Sequence, residues 1–126
     1  MRLLLDTVTF IWAVSAPERL SRAAASALLK STTVREVSVV SLVEIAVKQA
    51  RCKLTFSKAD VTAGVEDLQL RVLPYSARHA FHLFDLPTHH ADPFDRQIIA
   101  QALAEDLAVV TPDNAFYLYK GLKVVW

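Results

Sequence analysis

The sequence predicts one α/β domain of three layers, in which helices cover both faces of a mainly parallel sheet of about five strands. Three observations predict this class: short aliphatic runs typical of buried strands, longer segments with helix-start signals, and a regular alternation of the two along the chain. The chain has 126 residues and only two glycines, so its length suits one domain and no flexible linker is evident. We therefore expect a single domain over residues 1–126.

Five runs predict the strands. Residues 2–5 and 107–110 are mainly aliphatic, which is typical of strands buried on both faces of a parallel sheet. Residues 37–40, 71–73 and 123–125 are runs that contain β-branched side chains, which favour strands. Helical segments separate these runs, so parallel strands joined by helical crossovers are expected.

The helical segments begin after residues suited to the N-cap, where a side-chain oxygen accepts a hydrogen bond from the first turn. The clearest start is Asp92, which is followed by Pro93 at the first helical position and by apolar residues at helical spacing. Four further N-caps are predicted at Ser21, Ser41, Ser57 and Ser76.

Cysteine content and charge bear on compartment and partners. A single cysteine, Cys52, excludes an intramolecular disulfide and fits a reducing compartment, so we expect a cytoplasmic protein. Asp6 interrupts the apolar N-terminal run long before it reaches signal-peptide or membrane-spanning length, so no membrane association is expected. The formal net charge is +1, so nucleic-acid binding would depend on a local basic surface.

Acidic residues cluster where the predicted strands end. Asp6, Glu44 and Asp113 each follow a predicted strand within four residues. The carboxyl ends of parallel strands form the ligand-binding edge of an open α/β sheet, so these carboxylates are expected to lie close together. Asp92 and Asp95 share one face of the first turn of their helix and are expected to join them.

Such a cluster predicts a metal site. Like charges in a partly apolar site repel one another unless a cation neutralises them. Oxygen-only ligands suit Mg²⁺ or Mn²⁺, and these ions favour phosphoryl chemistry. Hydrolysis of a nucleic-acid backbone is therefore the leading hypothesis.

Most of the acids also have a structural interpretation. Ser41 and Glu44 match a capping box, in which the glutamate bonds back to the cap residue. Asp92 is a good N-cap, and Asp95 would be favourable at the positive end of the helix dipole without a metal. Asp113 lies in a Pro-Asp-Asn turn sequence.

The position of Asp6 favours a functional role, because this charged residue lies between two apolar stretches. Lys48, one turn after Glu44, is either an ion-pair partner of that residue or a contact for substrate phosphate. Three further residues are candidates for a basic rim around the acids; they are Arg51, Lys53 and Arg96.

Histidines offer a zinc site as an alternative. His79 and His82 share a helix face, and His89 and His90 lie in a loop. The absence of cysteine partners and of a recognisable ligand spacing argues against zinc.

Nearly the whole chain is covered by a series of motifs, which are, in order, MRLLLDT with Trp12 after it, SVVSLVEIAVK, LPTHHADPFDRQIIAQAL, LAVVTPDNAFYLY and KVVW. Together these motifs resemble PIN-domain ribonucleases, specifically the VapC-like toxins of bacterial type II toxin–antitoxin systems.

The resemblance implies a PIN-like fold in which Asp6, Glu44, Asp95 and Asp113 are the catalytic, metal-binding acids, with Asp92 as an additional metal ligand. It implies a Mg²⁺- or Mn²⁺-dependent endoribonuclease that cleaves RNA, forms homodimers and is inhibited by a cognate antitoxin covering the active-site groove. Residues beside the acids would support them or position substrate; they are Thr7, Ser41, Lys48, Arg96, Thr111 and Asn114.

Two other functions are considered. Mg²⁺-dependent phosphatases with an aspartate nucleophile also place an aspartate after the first strand, but they resemble D-x-D-x-T there. This chain has Thr7-Val8-Thr9 after Asp6 and so lacks the second aspartate. A non-catalytic PIN-like module that binds RNA or a partner is the other alternative, and the complete set of acids argues against it.

Overall fold

The computed structural model describes all residues from 1 to 126 and contains a single five-stranded sheet. The strand order is β3-β2-β1-β4-β5, and every neighbouring pair is parallel. The chain therefore builds one half of the sheet outwards from β1 and then returns to the other side of β1 with β4. The strands are β1 (Arg2–Leu5), β2 (Val34–Ser38), β3 (Arg71–Leu73), β4 (Ala108–Val110) and β5 (Lys123–Val125).

Six α-helices connect the strands. Ser21, Ser57 and Ser76 are the N-caps of α2, α4 and α5, and Asp92 caps α6 with Pro93 at its start, as predicted. None of the helices combines the length and apolarity needed to cross a bilayer. The helices are α1 (Thr7–Ser15), α2 (Arg22–Leu29), α3 (Val39–Ala50), α4 (Lys58–Asp67), α5 (Ala77–Phe84) and α6 (Pro93–Glu105), with 3₁₀ turns at Pro17–Arg19 and Asn114–Leu118.

The helices lie on both sides of the sheet, which confirms the three-layer α/β/α prediction. Successive strand residues face opposite sides. Leu4 accordingly packs in a cluster with Ile98 of α6, whereas Leu5 packs with Phe10 of α1 on the other side. All four side chains are at most 1% exposed, so the central strand is apolar on both faces.

The boundary between β2 and α3 differs from the prediction. A strand was expected at residues 37–40 and an N-cap at Ser41, but β2 ends at Ser38 and α3 begins at Val39. Ser38 Oγ accepts a hydrogen bond from the backbone N–H of Val40 at 3.0 Å and so starts the helix earlier. Val40 is buried in the core, and that packing outweighs the strand preference of valine.

Helix α1 was not predicted, because the N-terminal segment was interpreted only as a buried strand. Its sequence, TVTFIWAVS, is rich in β-branched and aromatic residues, which disfavour helices on propensity alone. Asp6 provides the N-cap, and the side chain of Phe10 on this helix is fully buried. Capping and tertiary packing therefore determine the conformation here.

Candidate active site

The acidic cavity lies beyond the carboxyl ends of β1 and β4, where the sheet reverses its direction of growth. Leu5 and Val110 are register partners, and the backbone N–H of Asp6 donates to Val110 O at 3.1 Å. Asp6 and the segment after β4 therefore lie side by side at the same edge of the sheet. The cavity has a volume of about 470 Å³ and is lined by five carboxylates: Asp6, Glu44, Asp92, Asp95 and Asp113.

The Asp6 carboxylate is held by two groups from two parts of the chain. Its Oδ1 accepts a hydrogen bond from the backbone N–H of Thr9 at 2.9 Å, and its Oδ2 accepts one from Thr111 Oγ1 at 2.7 Å. Burial raises the pKa of Asp6 above its usual range, the bonds from Thr111 and Thr9 oppose this rise, and the charge of Asp113 adds to it. Asp6 is therefore both a helix cap and a buried acid facing the cavity.

Glu44 comes from the second turn of α3 and is buried. The Thr7 hydroxyl donates to its Oε1 at 2.6 Å, and the Lys48 ammonium lies 2.5 Å from its Oε2. Thr7 has a single hydroxyl proton, so Ser41 Oγ, 2.9 Å away, donates to Thr7 in turn. Because α3 begins at Val39, Ser41 is inside the helix, and the capping-box interpretation of Glu44 is wrong.

Lys48 forms the ion pair that the helical spacing suggested. Its pKa is raised by the hydrogen bond to Glu44 and, more weakly, by the charges of Asp92 and Asp95. The ammonium group therefore sits in the field of three of the acids and neutralises part of their charge.

Asp92 and Asp95 lie in the first turn of α6, as predicted. Asp92 Oδ1 accepts hydrogen bonds from the backbone N–H groups of Phe94 and Asp95, each at 2.9 Å. The Asp95 carboxylate accepts no hydrogen bond, and His90 Nε2 lies 3.5 Å from its Oδ2. Burial raises the pKa of Asp95 to about 7, with contributions from the charges of its four acidic neighbours, Asp92, Asp6, Glu44 and Asp113.

Asp113 caps the 3₁₀ turn Asn114–Leu118. Its Oδ1 accepts from the backbone N–H of Ala115 at 2.9 Å, and its own backbone N–H donates to Thr111 Oγ1 at 3.0 Å. Thr111 thus links Asp113 to Asp6. The turn interpretation of Asp113 and its place in the cavity are both correct, because one carboxylate oxygen caps the turn while the residue lines the cavity.

The residues at this site fit a divalent cation by their donor chemistry. The donors are carboxylate oxygens only, which hard ions prefer. Burial and then the charges of the neighbouring acids raise the pKa of Asp95, and a bound cation would favour its ionised form. As they stand, the donors do not converge around one point, and Lys48 already holds one oxygen of Glu44. An incoming ion would therefore have to replace that ammonium.

Two predicted supporting residues lie away from the acids. Arg96 donates to the backbone carbonyls of Pro87 and Leu86 at 2.7 and 3.2 Å and does not line the cavity. Asn114 is exposed at the start of its 3₁₀ turn. Of the three rim candidates, Lys53 alone lines the cavity.

The histidines do not form a zinc site. No three histidine, cysteine or acidic side chains are grouped to hold a metal. His79 bonds to Ser76 at 3.0 Å and lies 3.3 Å from Glu105, remote from the acidic cavity. His89 packs edge-on against Tyr119.

Sequence reasoning missed two parts of the site. The wall of the cavity includes Trp12 and Ile11 of the unpredicted helix α1. His90 Nδ1 lies 2.7 Å from the hydroxyl of Tyr119, a buried residue 29 positions later. No local pattern signals a contact over that separation.

Comparison with solved structures shows the same fold in several proteins. VapBC2 from Rickettsia felis, bound to a DNA fragment from its promoter, matches with a TM-score of 0.76 and 19% identity over 98% of this chain and 97% of that one. DNA-bound VapBC from Salmonella typhimurium matches with a TM-score of 0.71 and 18% identity over 98% and 96%. VapBC-1 from nontypeable Haemophilus influenzae gives 0.69 and 16% over 98% and 96%.

Comparison with curated proteins finds no match. The family model for the PIN domain matches residues 3–122, which include β2, β3, β4 and all but the first residue of β1. The protein therefore belongs to the PIN domain family.

Proposed function

We propose that the protein is a Mg²⁺- or Mn²⁺-dependent endoribonuclease that hydrolyses RNA phosphodiester bonds in the cytoplasm. In this proposal it is the toxin of a type II toxin–antitoxin pair and inhibits translation or growth. The observation that carries the nuclease activity is one cavity lined by carboxylates from α3, from the start of α6 and from the segments after β1 and β4. Helix caps collect at this edge of any parallel sheet, but Glu44 and Asp95 are not caps and still line the cavity.

The metal would be held by Asp6, Glu44, Asp95 and Asp113, with Asp92 as a further ligand. When bound, the ion would polarise the phosphodiester and activate a water molecule. The chain's own residues hold the ligands in place: Thr111 and Thr9 orient Asp6, and the Thr7 hydroxyl orients Glu44.

RNA would enter along the cationic side of the cavity. Lys53 is exposed and Lys48 is half-buried, and both line the cavity beside the acids. Once freed from Glu44, the Lys48 ammonium would be available to a backbone phosphate. Trp12 and Ile11 form the apolar part of the same wall, which suits contact with unpaired bases.

RNA cleavage tests this function directly. Wild-type protein and Glu44→Gln would be incubated with structured and single-stranded RNAs in Mg²⁺, in Mn²⁺ and in EDTA. We expect cleavage by the wild type only with metal, and a loss of about 100-fold or more in the variant, because Glu44 loses its charge. Glu66→Gln, an exposed glutamate on α4, is the matched control and should keep full activity.

Other outcomes would contradict the proposal. Cleavage in EDTA, or full activity of Glu44→Gln, would overturn the metal mechanism. Binding of RNA without cleavage would favour a non-catalytic PIN-like module. Hydrolysis of a small phosphomonoester with RNA left intact would favour the phosphatase alternative.

An apolar groove fits the proposed antitoxin partner. The three solved structures compared above are of VapBC proteins. In this chain a second cavity, of about 350 Å³, lies between α1, α2 and α4, and most of its lining is apolar. Leu29 in that lining is 83% exposed. We assign this second groove to an amphipathic segment of the antitoxin, whose apolar face would cover Leu29, while the antitoxin's tail would cover the acidic cavity.

Co-expression tests this assignment. If a small gene directly upstream encodes a DNA-binding protein, its product should co-purify with the wild type and relieve growth arrest. Leu29→Glu should lose both effects, whereas Lys30→Glu, the exposed neighbouring residue, should keep them. Equal co-purification of both variants would place the antitoxin elsewhere.

A homodimer is also part of the proposal. Helix α5 exposes Phe81 and Phe84, which are 69% and 85% exposed and stack with their ring centroids 6.2 Å apart. Adjacent exposed aromatic rings are typical of a contact surface. Sedimentation of the wild type should give a dimer and Phe84→Asp a monomer; an unchanged dimer would exclude α5 as the interface.

A further inference from the structure

His90 has an unused polar atom beside Asp95, a residue that lines the acidic cavity. The residue lies in the loop before α6, and its side chain is only 17% exposed. Its Nε2 atom is buried and makes no hydrogen bond. The Asp95 carboxylate, which accepts no hydrogen bond either, is the acidic group beside it, with Oδ2 at 3.5 Å. A buried nitrogen without a partner is unfavourable and calls for an explanation.

The hydrogen bonds behind the ring determine which nitrogen carries the proton. Arg96 Nη1 lies 3.2 Å from the hydroxyl oxygen of Tyr119, and a guanidinium group can only donate. The hydroxyl oxygen therefore accepts from Arg96, and its own proton remains for His90 Nδ1 at 2.7 Å. With Nδ1 as the acceptor, the hydrogen of the neutral ring is on Nε2.

The opposite tautomer is disfavoured on both sides of the ring. If Nδ1 carried the hydrogen, the hydroxyl proton of buried Tyr119 would have no acceptor. The lone pair of Nε2 would then face Asp95 Oδ2 at 3.5 Å, which is a repulsive arrangement when that carboxyl is ionised. Both effects favour an N–H group directed towards Asp95.

We propose that His90 is a positioning residue for Asp95, with Arg96 and Tyr119 fixing its tautomer so that Nε2–H donates to Asp95 Oδ2. A shortening of about half an ångström from the observed separation gives an ordinary hydrogen bond. The donor would hold Oδ2 and leave Oδ1 directed into the cavity. This role rests on the proposed function, in which Asp95 is a metal ligand, and it explains Arg96 as a residue that acts from outside the cavity.

Metal binding tests the role without an activity assay. Mn²⁺ affinity would be measured by calorimetry for the wild type, His90→Leu and His90→Gln. We expect His90→Leu to bind Mn²⁺ about tenfold more weakly, as is usual when the partner of a metal ligand is lost. His90→Gln should stay close to the wild type, because its amide N–H can donate in place of Nε2–H. His89→Gln, an exposed neighbour without a hydrogen bond, is the matched control.

The tautomer would be measured separately, by long-range ¹H–¹⁵N correlation spectra of the histidine rings in the metal-free protein. We expect the hydrogen on Nε2 of His90, and a shift of that signal in Asp95→Asn and in Tyr119→Phe but not in Tyr117→Phe, which changes an exposed tyrosine. A hydrogen on Nδ1 would overturn the proposal.

The remaining outcomes are also decisive. Unchanged Mn²⁺ affinity and unchanged RNA cleavage in His90→Leu, or equal losses of Mn²⁺ affinity in His90→Leu and His90→Gln, would show that the ring only packs. Loss of RNA cleavage with unchanged Mn²⁺ affinity would assign His90 to the substrate instead. If the wild type bound no Mn²⁺, the proposed function would fail, and the ring spectra would still decide whether His90 donates to Asp95.

Discussion

The ammonium group of Lys48 lies 2.5 Å from Oε2 of Glu44, one helical turn away on α3. Glu44 is 6% exposed at its side chain and Lys48 is 43% exposed. A buried carboxylate thus has a cation that can move out into solvent. In the proposed function, the ammonium group of Lys48 stabilises the metal-free cavity and would be displaced from Glu44 when a metal binds.

Lys48→Met tests this exchange. Without the ammonium, buried Glu44 keeps only the hydroxyl of Thr7 as a partner, so the free energy of unfolding in EDTA should fall by about 1–2 kcal/mol. Mn²⁺ should raise the melting temperature of the variant more than that of the wild type, because no ammonium has to be displaced. Thermal unfolding with and without Mn²⁺ measures both effects.

The control for this prediction is Lys120→Met, which removes an exposed lysine after the last 3₁₀ turn. It should behave as the wild type does. Equal stabilisation of Lys48→Met and the wild type by Mn²⁺ would contradict the exchange.

The raised pKa of Asp95 predicts how stability depends on pH. With a pKa of about 7 instead of 3.8, the folded protein binds this proton more tightly than the unfolded chain does. The metal-free protein should therefore lose stability as the pH rises from about 4 to about 7. Asp95→Asn should remove this loss and be more stable than the wild type at pH 8, by on the order of 1 kcal/mol for a partly solvated carboxyl.

Urea unfolding in EDTA at several pH values measures the difference between the two proteins. Asp85→Asn, at an exposed position after α5, is the control and should follow the wild type. The same stability difference between Asp95→Asn and the wild type at pH 5 and pH 8 would show that repulsion at Asp95 is absent.

The fold and the grouping of the acids were predictable, because both depend on the order of strands and helices. Parallel strands bring their carboxyl ends to one edge whatever their exact limits. Placing the N-cap of α3 at Ser41 instead of Ser38 therefore left Glu44 at the correct edge. The same error suggested a capping box that does not exist, since a cap depends on a single position.

Contacts between distant segments were not predictable. The side chain of His90 bonds to Tyr119, and Thr111 bonds to Asp6 across 105 positions. Side-chain bonds of this kind depend on tertiary packing and leave no periodic pattern in the sequence. Helix α1 escaped prediction for a related reason, because buried packing around Phe10 overrides the strand preference of its residues.

A further buried acid, Glu36, has a structural role away from the acidic cavity. It is fully buried on β2, and Arg2 of β1 binds both of its oxygens, at 2.9 and 3.0 Å. Arg2→Leu would leave this carboxylate without its cation, so we expect a loss of roughly 3–5 kcal/mol in the free energy of unfolding. Arg2→Leu combined with Glu36→Leu should recover part of that loss, because no unpaired charge remains. Urea unfolding of the two variants measures this, and equal losses would contradict the ion-pair argument.

A substitution at Thr111 tests the hydrogen bond that supports Asp6 without removing any of the carboxylates. Its hydroxyl donates to Asp6 Oδ2 at 2.7 Å and lowers the pKa of that carboxyl, which burial otherwise raises. Thr111→Val keeps the shape and removes the donor, so the pKa of Asp6 should rise further and its carboxylate should be less available to a metal. We expect Mn²⁺ affinity to fall about tenfold at neutral pH. The loss should be greater at pH 6 than at pH 8, since a proton competes with the metal for Asp6.

Calorimetric titration at both pH values measures this, with Thr88→Val at an exposed loop position as control. A loss that does not change with pH would mean that Thr111 supports the site by packing alone, and the hydrogen bond to Asp6 would then have no part in metal binding.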